Sequence, residues 1–198
     1  MVRVGAWERG LFIGCVLYSR GANPHIGSDF GLLQSETVEL TRVALTKHDI
    51  EVSRIIAIAC KYLKKTNDGI RLLVSFADPG EGHSGGIYQA GGWIYSGHGS
   101  IDKRVRRYTT KDGRVFHWRT VAKWLHSRRL KKTVSSAYEN GFKPSEFIPK
   151  HRYLMPLDAE MRARVLPLAK PYPKRPKKPD GSDQEHRGRG STDPDAPI

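Results

Sequence analysis

The chain has 198 residues and a formal net charge of +14, from 34 lysines and arginines against 20 aspartates and glutamates. This length suits one α/β domain with an extension, and a hydrophobic content of 38% argues against disorder throughout. No run of about 18 apolar residues occurs, which excludes a membrane-spanning helix. The N-terminus lacks an apolar signal core, and Cys15 and Cys60 form neither a disulfide framework nor a C-x-x-C zinc motif, so the sequence favours the cytoplasm.

The first 65 residues predict a hairpin, a third strand and a helix. The hairpin strands are Val2–Trp7 and Leu11–Tyr18, joined by a turn that contains glycine. Alternating apolar residues then predict a strand over Val38–Leu45. The apolar residues of Glu51–Lys65 recur with the period of a helix, and Asn-Asp-Gly ends it.

A buried strand and a glycine-rich loop follow. Ile70–Ala77 is a nearly continuous apolar run, which is typical of a strand buried on both faces. Residues 78–86 form the loop, and Ile87–Tyr95 is predicted to begin as a helix that Gly91 and Gly92 interrupt. The order of strand, helix and strand predicts a right-handed βαβ unit.

The last third of the chain predicts smaller elements and a tail. A strand is expected at Arg114–Trp118 and a helix at Arg119–Lys132. A further strand over Phe147–Leu157 contains two prolines, which restricts it to the edge of a sheet. Seven of the 12 prolines lie after residue 166. We therefore expect one domain over 1–166 and a disordered tail over 167–198.

Most of the excess positive charge lies in residues 101–135, which carry 12 basic and two acidic side chains. Such a block attracts a polyanion, and four aromatic residues interleaved with it could stack on unpaired bases. The alternatives are a solvated basic face and, for the aromatic residues Tyr108, Phe116, Trp118 and Trp124, packing in a core, which is favoured equally with stacking for the two tryptophans. The residues predicted to contact DNA are Arg104, Arg106, Arg107, Lys123, Arg128, Arg129, Lys131, Lys132, Lys150, Arg152 and Tyr153.

The densest group of reactive side chains lies in residues 74–97. Asp78 follows the buried strand, and ligands of open α/β sheets collect at the carboxyl ends of strands. The alternative is that Asp78 only caps the turn before Pro79. His83 and Tyr88 follow in the same loop and helix. Tyr88 and Tyr95 are seven residues apart, which predicts one helical face if the helix continues past the glycines; the alternative is ordinary packing, which is preferred for Tyr95.

A second group surrounds the start of the first helix. Ser53 lies in its first turn, where free N–H groups bind anions. Arg42, in the preceding strand, either pairs with a neighbouring acid or faces a phosphate. His48, next to Asp49, either caps the helix or transfers a proton.

Five segments in order resemble the Mom family of phage DNA-modification proteins: ELTRVAL (39–45), SRIIAIA (53–59), VSFAD (74–78), GGIYQAGGWIYSG (85–97) and KHRYLMPL (150–157). The resemblance implies a GNAT-like fold, a mixed sheet flanked by helices. It also implies a transferase that converts adenine in phage DNA to an N6-carbamoylmethyl derivative and so protects the DNA from host restriction. The adenine would be flipped out or single-stranded.

The resemblance also assigns roles to residues. Asp78, Tyr88, Ser53 and Arg42 fall on motif positions, and a tyrosine at the position of Tyr88 protonates a departing thiolate in GNAT enzymes. For the general base, Asp78 competes with His83, because histidine as a residue type suits proton transfer near neutral pH.

The resemblance leaves the donor of the transferred group open. Acetyl-coenzyme A follows from the GNAT analogy and a metal from the family, but no metal ligands are predicted here. Family members usually carry a His-Tyr pair before the hairpin, so this chain is expected to be shortened at its N-terminus. The alternatives are a non-catalytic DNA-binding relative and an acetyltransferase that acts on a small-molecule or protein amine.

Overall fold

A computed structural model describes residues 1–21, 23–99, 107–145 and 148–174. It contains a six-stranded mixed sheet, a three-stranded antiparallel sheet and five α-helices. The mixed α/β class and the helix-flanked sheet are therefore as predicted. No helix in these ranges is long and apolar enough to cross a membrane.

The described ranges contain nine strands and five α-helices. The strands are β1 (Val2–Glu8), β2 (Leu11–Ser19), β3 (Thr37–Leu45), β4 (Leu72–Ala77), β5 (Ile94–His98), β6 (Arg107–Thr109), β7 (Val115–His117), β8 (Lys143–Pro144) and β9 (His151–Pro156). The helices are α1 (Val52–Thr66), α2 (Gly86–Ala90), α3 (Trp118–Ser127), α4 (Val134–Glu139) and α5 (Ala159–Val165). The orders of the sheets are β1-β2-β3-β4-β9-β5 and β7-β6-β8.

The strand directions bring one set of chain ends to the same edge of the large sheet. Strands β3 and β4 are parallel, whereas every other pair in this sheet is antiparallel. The ends of β3, β4 and β5, the start of β9 and the β1–β2 turn therefore share one edge. We call it the upper edge.

The large sheet divides toward the upper edge. Strands β3 and β4 pair only from Thr37 with Leu72 to Glu39 with Val74, although β3 continues to Leu45 and β4 to Ala77. We call the resulting gap the fork. At its base, the Ser75 hydroxyl donates a hydrogen bond to the carbonyl oxygen of Leu40 over 2.8 Å.

Each face of the large sheet packs a different hydrophobic cluster. On one face, Ile56, Ala59 and Leu63 of α1 pack against the sheet, because their spacing forms one apolar helical stripe. On the other face, Met161 and Val165 of α5 pack against the half of the sheet formed by β4, β9 and β5. A third cluster, centred on Tyr108, Val121 and Leu125, joins the small sheet to α3 and α4.

The structure corrects three predicted elements. The strand expected over Phe147–Leu157 at an edge is β9, which lies between β4 and β5. The helix expected over Ile87–Tyr95 ends at Ala90, and Tyr95 lies on β5, because Gly92 adopts a φ of +70° that reverses the chain. The helix expected over Arg119–Lys132 ends at Ser127.

The segment after residue 166 begins with a packed stretch. The N–H of Lys170 donates to the carbonyl of Tyr95 over 2.8 Å. The Tyr172 hydroxyl donates to the carbonyl of Trp93, also over 2.8 Å. Lys170 and Tyr172 therefore contact the segment before and within β5, and the rest of the predicted tail, residues 175–198, lies outside the described ranges.

The central position of β9 makes Leu154 a sensitive probe of the fold. Leu154 is fully buried against α5, so Leu154→Ala should lower the free energy of unfolding by about 2–5 kcal/mol. The exposed Leu33 is the control, and Leu33→Ala should change the free energy of unfolding by less than about 0.5 kcal/mol. Urea denaturation measures both, and equal small effects would contradict a central β9.

Candidate active site

Asp78 is the centre of a polar cluster at the upper edge. Its Oδ1 accepts a hydrogen bond from the N–H of Gly80 over 3.0 Å, which caps the turn after β4. Its Oδ2 lies 2.7 Å from an Arg107 nitrogen and 3.2 Å from Lys150 Nζ. The side chain is only 12% exposed, so three donors hold a largely dehydrated carboxylate. Asp78 therefore combines the capping role with the predicted position at a strand end.

The two cations beside Asp78 come from distant parts of the chain and differ in freedom. Arg107 begins β6 and lies over Gly80, so it links the small sheet to the large one. Lys150 immediately precedes β9, and its side chain is 55% exposed. Breaking the contact between Lys150 and the carboxylate therefore costs less free energy than breaking the contact of Arg107.

Two histidines and a tyrosine lie at the same edge. In β9, His151 pairs with Ala77 of β4 on one side and with His98 of β5 on the other. The two imidazoles stack with their centroids 5.3 Å apart, and His151 Nδ1 lies 3.0 Å from the Tyr95 hydroxyl. Burial and the neighbouring His98 lower the pKa of His151, so its imidazole is neutral at neutral pH.

Aromatic side chains support this cluster from below. Tyr153 packs between Tyr88 and Tyr95, with ring centroids 5.2 and 5.3 Å away, and is fully buried. Its hydroxyl donates to the carbonyl of Ser84 over 2.5 Å. A side chain at Gly85 would collide with the Tyr153 ring, so the glycine permits this packing.

Tyr88 is buried at the base of the fork. Its hydroxyl lies 2.8 Å from the Ser75 hydroxyl. Burial raises the pKa of Tyr88, so the hydroxyl keeps its proton at neutral pH. The predicted shared helical face with Tyr95 is wrong, because Tyr95 lies on a strand and Tyr153 stands between the two rings.

The remaining candidates near α1 do not join the Asp78 cluster. Ser53 lies in the first turn of α1, as predicted, and Arg42 is exposed on β3. His48 Nδ1 lies 2.7 Å from the carbonyl oxygen of Ile50. The predicted capping by His48 and Asp49 is wrong, because Glu51 holds the cap position and Asp49 pairs with Arg9 over 3.4 Å. His83 is exposed in the loop after Asp78.

The basic block divides between the surface and the site. Lys123 lies on the exposed side of α3, and Arg107 belongs to the Asp78 cluster. The Arg128 guanidinium lies over the Trp124 ring, 4.4 Å from its centroid. Arg104 and Arg106 lie outside the described residues. Arg129, Lys131 and Lys132, which are also predicted to contact DNA, are exposed.

The aromatic residues of the block follow the core alternative. Tyr108 is fully buried, and Phe116, Trp118 and Trp124 are partly buried against the same cluster. Among the predicted DNA contacts in residues 150–153, only Lys150 is exposed. Tyr153 is buried, and Arg152 donates to Ser96 and to Asp29, over 2.9 and 3.0 Å.

Neither of two open cavities among the described residues includes Asp78. One, of about 350 Å³, lies at the edge of the large sheet opposite the upper edge, between Tyr18, Arg20 and Ile70. The other, of about 540 Å³, lies beside Tyr138 of α4 and Lys143 of β8. The same ranges contain no cluster of three or more His, Cys, Asp or Glu side chains arranged to hold a metal ion.

Sequence reasoning misses His98 and His151 as site residues. The available signal is weak, since His98 ends β5, a strand that begins inside a segment predicted as a helix. His151 stands out only because its neighbours Lys150 and Arg152 are predicted to contact DNA. Only the pairing of β9 with both β4 and β5 brings them together.

The stacked imidazoles give a test of the site by pH. His98→Ala should raise the pKa of His151 toward its ordinary value of 6.5, because a neighbour that can carry a positive charge is removed. Burial still keeps it below that value. NMR titration of the imidazole resonances measures the shift, and His126→Ala, on the exposed side of α3, is the control. An unchanged pKa of His151 in His98→Ala would contradict the stacked arrangement.

The comparisons with known proteins agree with the resemblance of the five segments. The model of the Mom protein family matches residues 1–174. No match was found among the curated proteins. The matched range contains both sheets and the whole Asp78 cluster, and the family match supports a phage protein that modifies DNA. The chain belongs to the Mom protein family.

Proposed function

We propose that this protein converts adenine in phage DNA to its N6-carbamoylmethyl derivative, with Asp78 at the reacting amino group. The observation that carries the proposal is the position of Asp78. It is a shielded carboxylate at the upper edge, beside the fork, with one partner that can be displaced. Membership of the Mom family supports DNA as the substrate.

The chemistry explains why a carboxylate is required. The lone pair of adenine N6 is delocalised into the ring, and in a duplex the amino group is also paired. The base must therefore leave the stack, at a cost of a few kcal/mol. A carboxylate that accepts a hydrogen bond from N6–H orients the amino group and favours its attack on the donor.

The cluster offers two groups for this step. Arg107 and Gly80 fix the carboxylate of Asp78, while the exposed Lys150 can give up its place to the amino group of the substrate. The carboxylate of Asp78 is then the proton acceptor, and the alternative is the exposed His83, whose backbone N–H donates to the Asp78 carbonyl oxygen over 3.0 Å. In both cases the carboxylate of Asp78 orients the amino group.

The donor enters from the fork in this proposal. The protonated hydroxyl of Tyr88 lies at the base of the fork beside Ser75, where it can donate to a leaving group. The start of α1 does not fit a pyrophosphate loop of the usual kind, because residues 46–51 contain no glycine and Glu51 stands at the cap. No step is therefore assigned to coenzyme A, and the donor is left open.

The first test removes the charge of Asp78 while keeping its shape. Asp78→Asn should lower modified adenine by roughly 10²- to 10⁴-fold, the usual effect of removing an acid–base group, and leave DNA affinity nearly unchanged. Mass spectrometry of nucleosides from cells that express the chain measures the product. Asp112→Asn is the control, because Asp112 is also paired with an arginine, Arg114, but lies in an exposed turn. Normal modification in Asp78→Asn would exclude Asp78 from the mechanism.

The second test concerns the exposed cations after α3, which we propose bind the DNA backbone. Replacing Arg128, Arg129, Lys131 and Lys132 by glutamine should lower the slope of log affinity against log salt by about 0.9 for each duplex phosphate that the variant no longer neutralises. Fluorescence anisotropy at several salt concentrations measures it. The control replaces Arg54, Lys61 and Lys65, exposed on α1. Equal slope changes per charge in both variants would show that this cluster has no special role.

A further inference from the structure

One face of the N-terminal hairpin is open to solvent. Cross-strand pairing places Arg3, Leu17 and Arg42 in one row across β1, β2 and β3, with Gly5, Cys15 and Ala44 in the next row. Helix α1 packs on the opposite face, through Val4 and Val16 among others. The open face therefore carries a row with an exposed arginine at each end and Leu17 between them, beside a row of three small residues.

Trp7 provides a flat aromatic surface on this face. Its ring lies over Gly5, where any Cβ would collide with it. Phe12 packs against it edge-on, with the centroids 5.2 Å apart and the planes at 63°. Even so, Trp7 is 63% exposed and Phe12 60% exposed. The ring is thus fixed from one side and available from the other.

The hairpin that carries Trp7 is held in place. The Glu8 carboxylate accepts hydrogen bonds from the N–H groups of Asp49 and Ile50, both over 3.0 Å. Arg9, in the turn, pairs with Asp49 over 3.4 Å. These contacts tie the hairpin to the segment before α1, so the aromatic surface gives up little conformational entropy when it binds a ligand.

We propose that this face, with Trp7 as a stacking surface and Arg3 and Arg42 as phosphate contacts, binds the unpaired DNA strand next to the target adenine. Aromatic faces beside cations are the usual means of binding single strands without reading their sequence. The hairpin turn lies at the upper edge, the same edge as Asp78. The inference rests on the proposed function only in taking DNA as the polyanion.

The alternative occupant is a second copy of this chain, because β1 is also an edge strand. The charge of the face argues against it. Self-association through the open face would bring the arginines of two positively charged molecules together. A polyanion can neutralise both arginines, and the exposed ring of Trp7 can stack on the bases of a nucleic acid.

Substitution of Trp7 tests the stacking. Trp7→Ala should weaken binding of a fluorescein-labelled single-stranded oligonucleotide by roughly 5- to 140-fold, the equivalent of removing one base stack. Duplex affinity should change much less, and Trp7→Phe should restore most of the single-strand affinity because it keeps an aromatic face. Tyr62→Ala, an exposed aromatic residue on α1, is the matched control.

The arginines are tested through salt dependence. Replacing Arg3 and Arg42 by glutamine should lower the salt slope for single-stranded DNA by about 0.7 for each phosphate that the variant no longer neutralises, whereas Arg54→Gln on α1 should not change it. Circular dichroism checks that each variant is folded.

The outcomes separate this inference from the proposed function. Unchanged single-strand affinity in Trp7→Ala overturns the inference, even where Asp78→Asn abolishes modification. A dimer that Trp7→Ala dissociates in sedimentation, with unchanged DNA affinity, also overturns it and assigns the face to self-association. Weaker single-strand binding supports it, even where the wild-type chain yields no modified adenine and the proposed function fails.

Discussion

The two sheets of the protein meet at the ion pair between Asp78 and Arg107. The carboxylate follows β4 of the large sheet, and the guanidinium begins β6 of the small one. Both side chains are largely shielded from water, and a charge-assisted hydrogen bond of 2.7 Å joins them. The contact therefore fixes a reactive carboxylate. It also connects the small sheet, with its basic helices α3 and α4, to the large sheet.

The composition of the site follows from the insertion of β9 between β4 and β5. This strand is antiparallel to both neighbours, so its start lies where they end. Lys150 and His151 thereby reach Asp78 and His98, which are more than fifty residues away in the chain. The fork on the other side of β4 leaves the backbone there open toward a ligand.

The sequence predicts the elements whose signals are local. Strands β1 to β4 and helix α1 agree with expectation because alternation and the helical period depend only on neighbouring residues. Position in a sheet is not local, and the prolines near β9 suggest an edge although Pro149 precedes the strand and Pro156 is its last residue. Asp78 is predictable because it follows a buried strand, whereas Arg107, Lys150 and His151 join it through pairings that no short pattern shows.

Stacking and charge are carried mainly by different parts of this molecule. The aromatic residues of the basic block face inward, since a unit as small as β6–β8 with α3 and α4 needs Tyr108 and Trp124 to fill its core. Its surface then offers mainly cations, which hold a duplex backbone, and Tyr138 of α4 is its exposed aromatic residue. The large sheet has helices to cover its core and leaves Trp7 exposed. An enzyme that acts on an extruded adenine requires both properties, and the Asp78–Arg107 contact joins the two units that carry them.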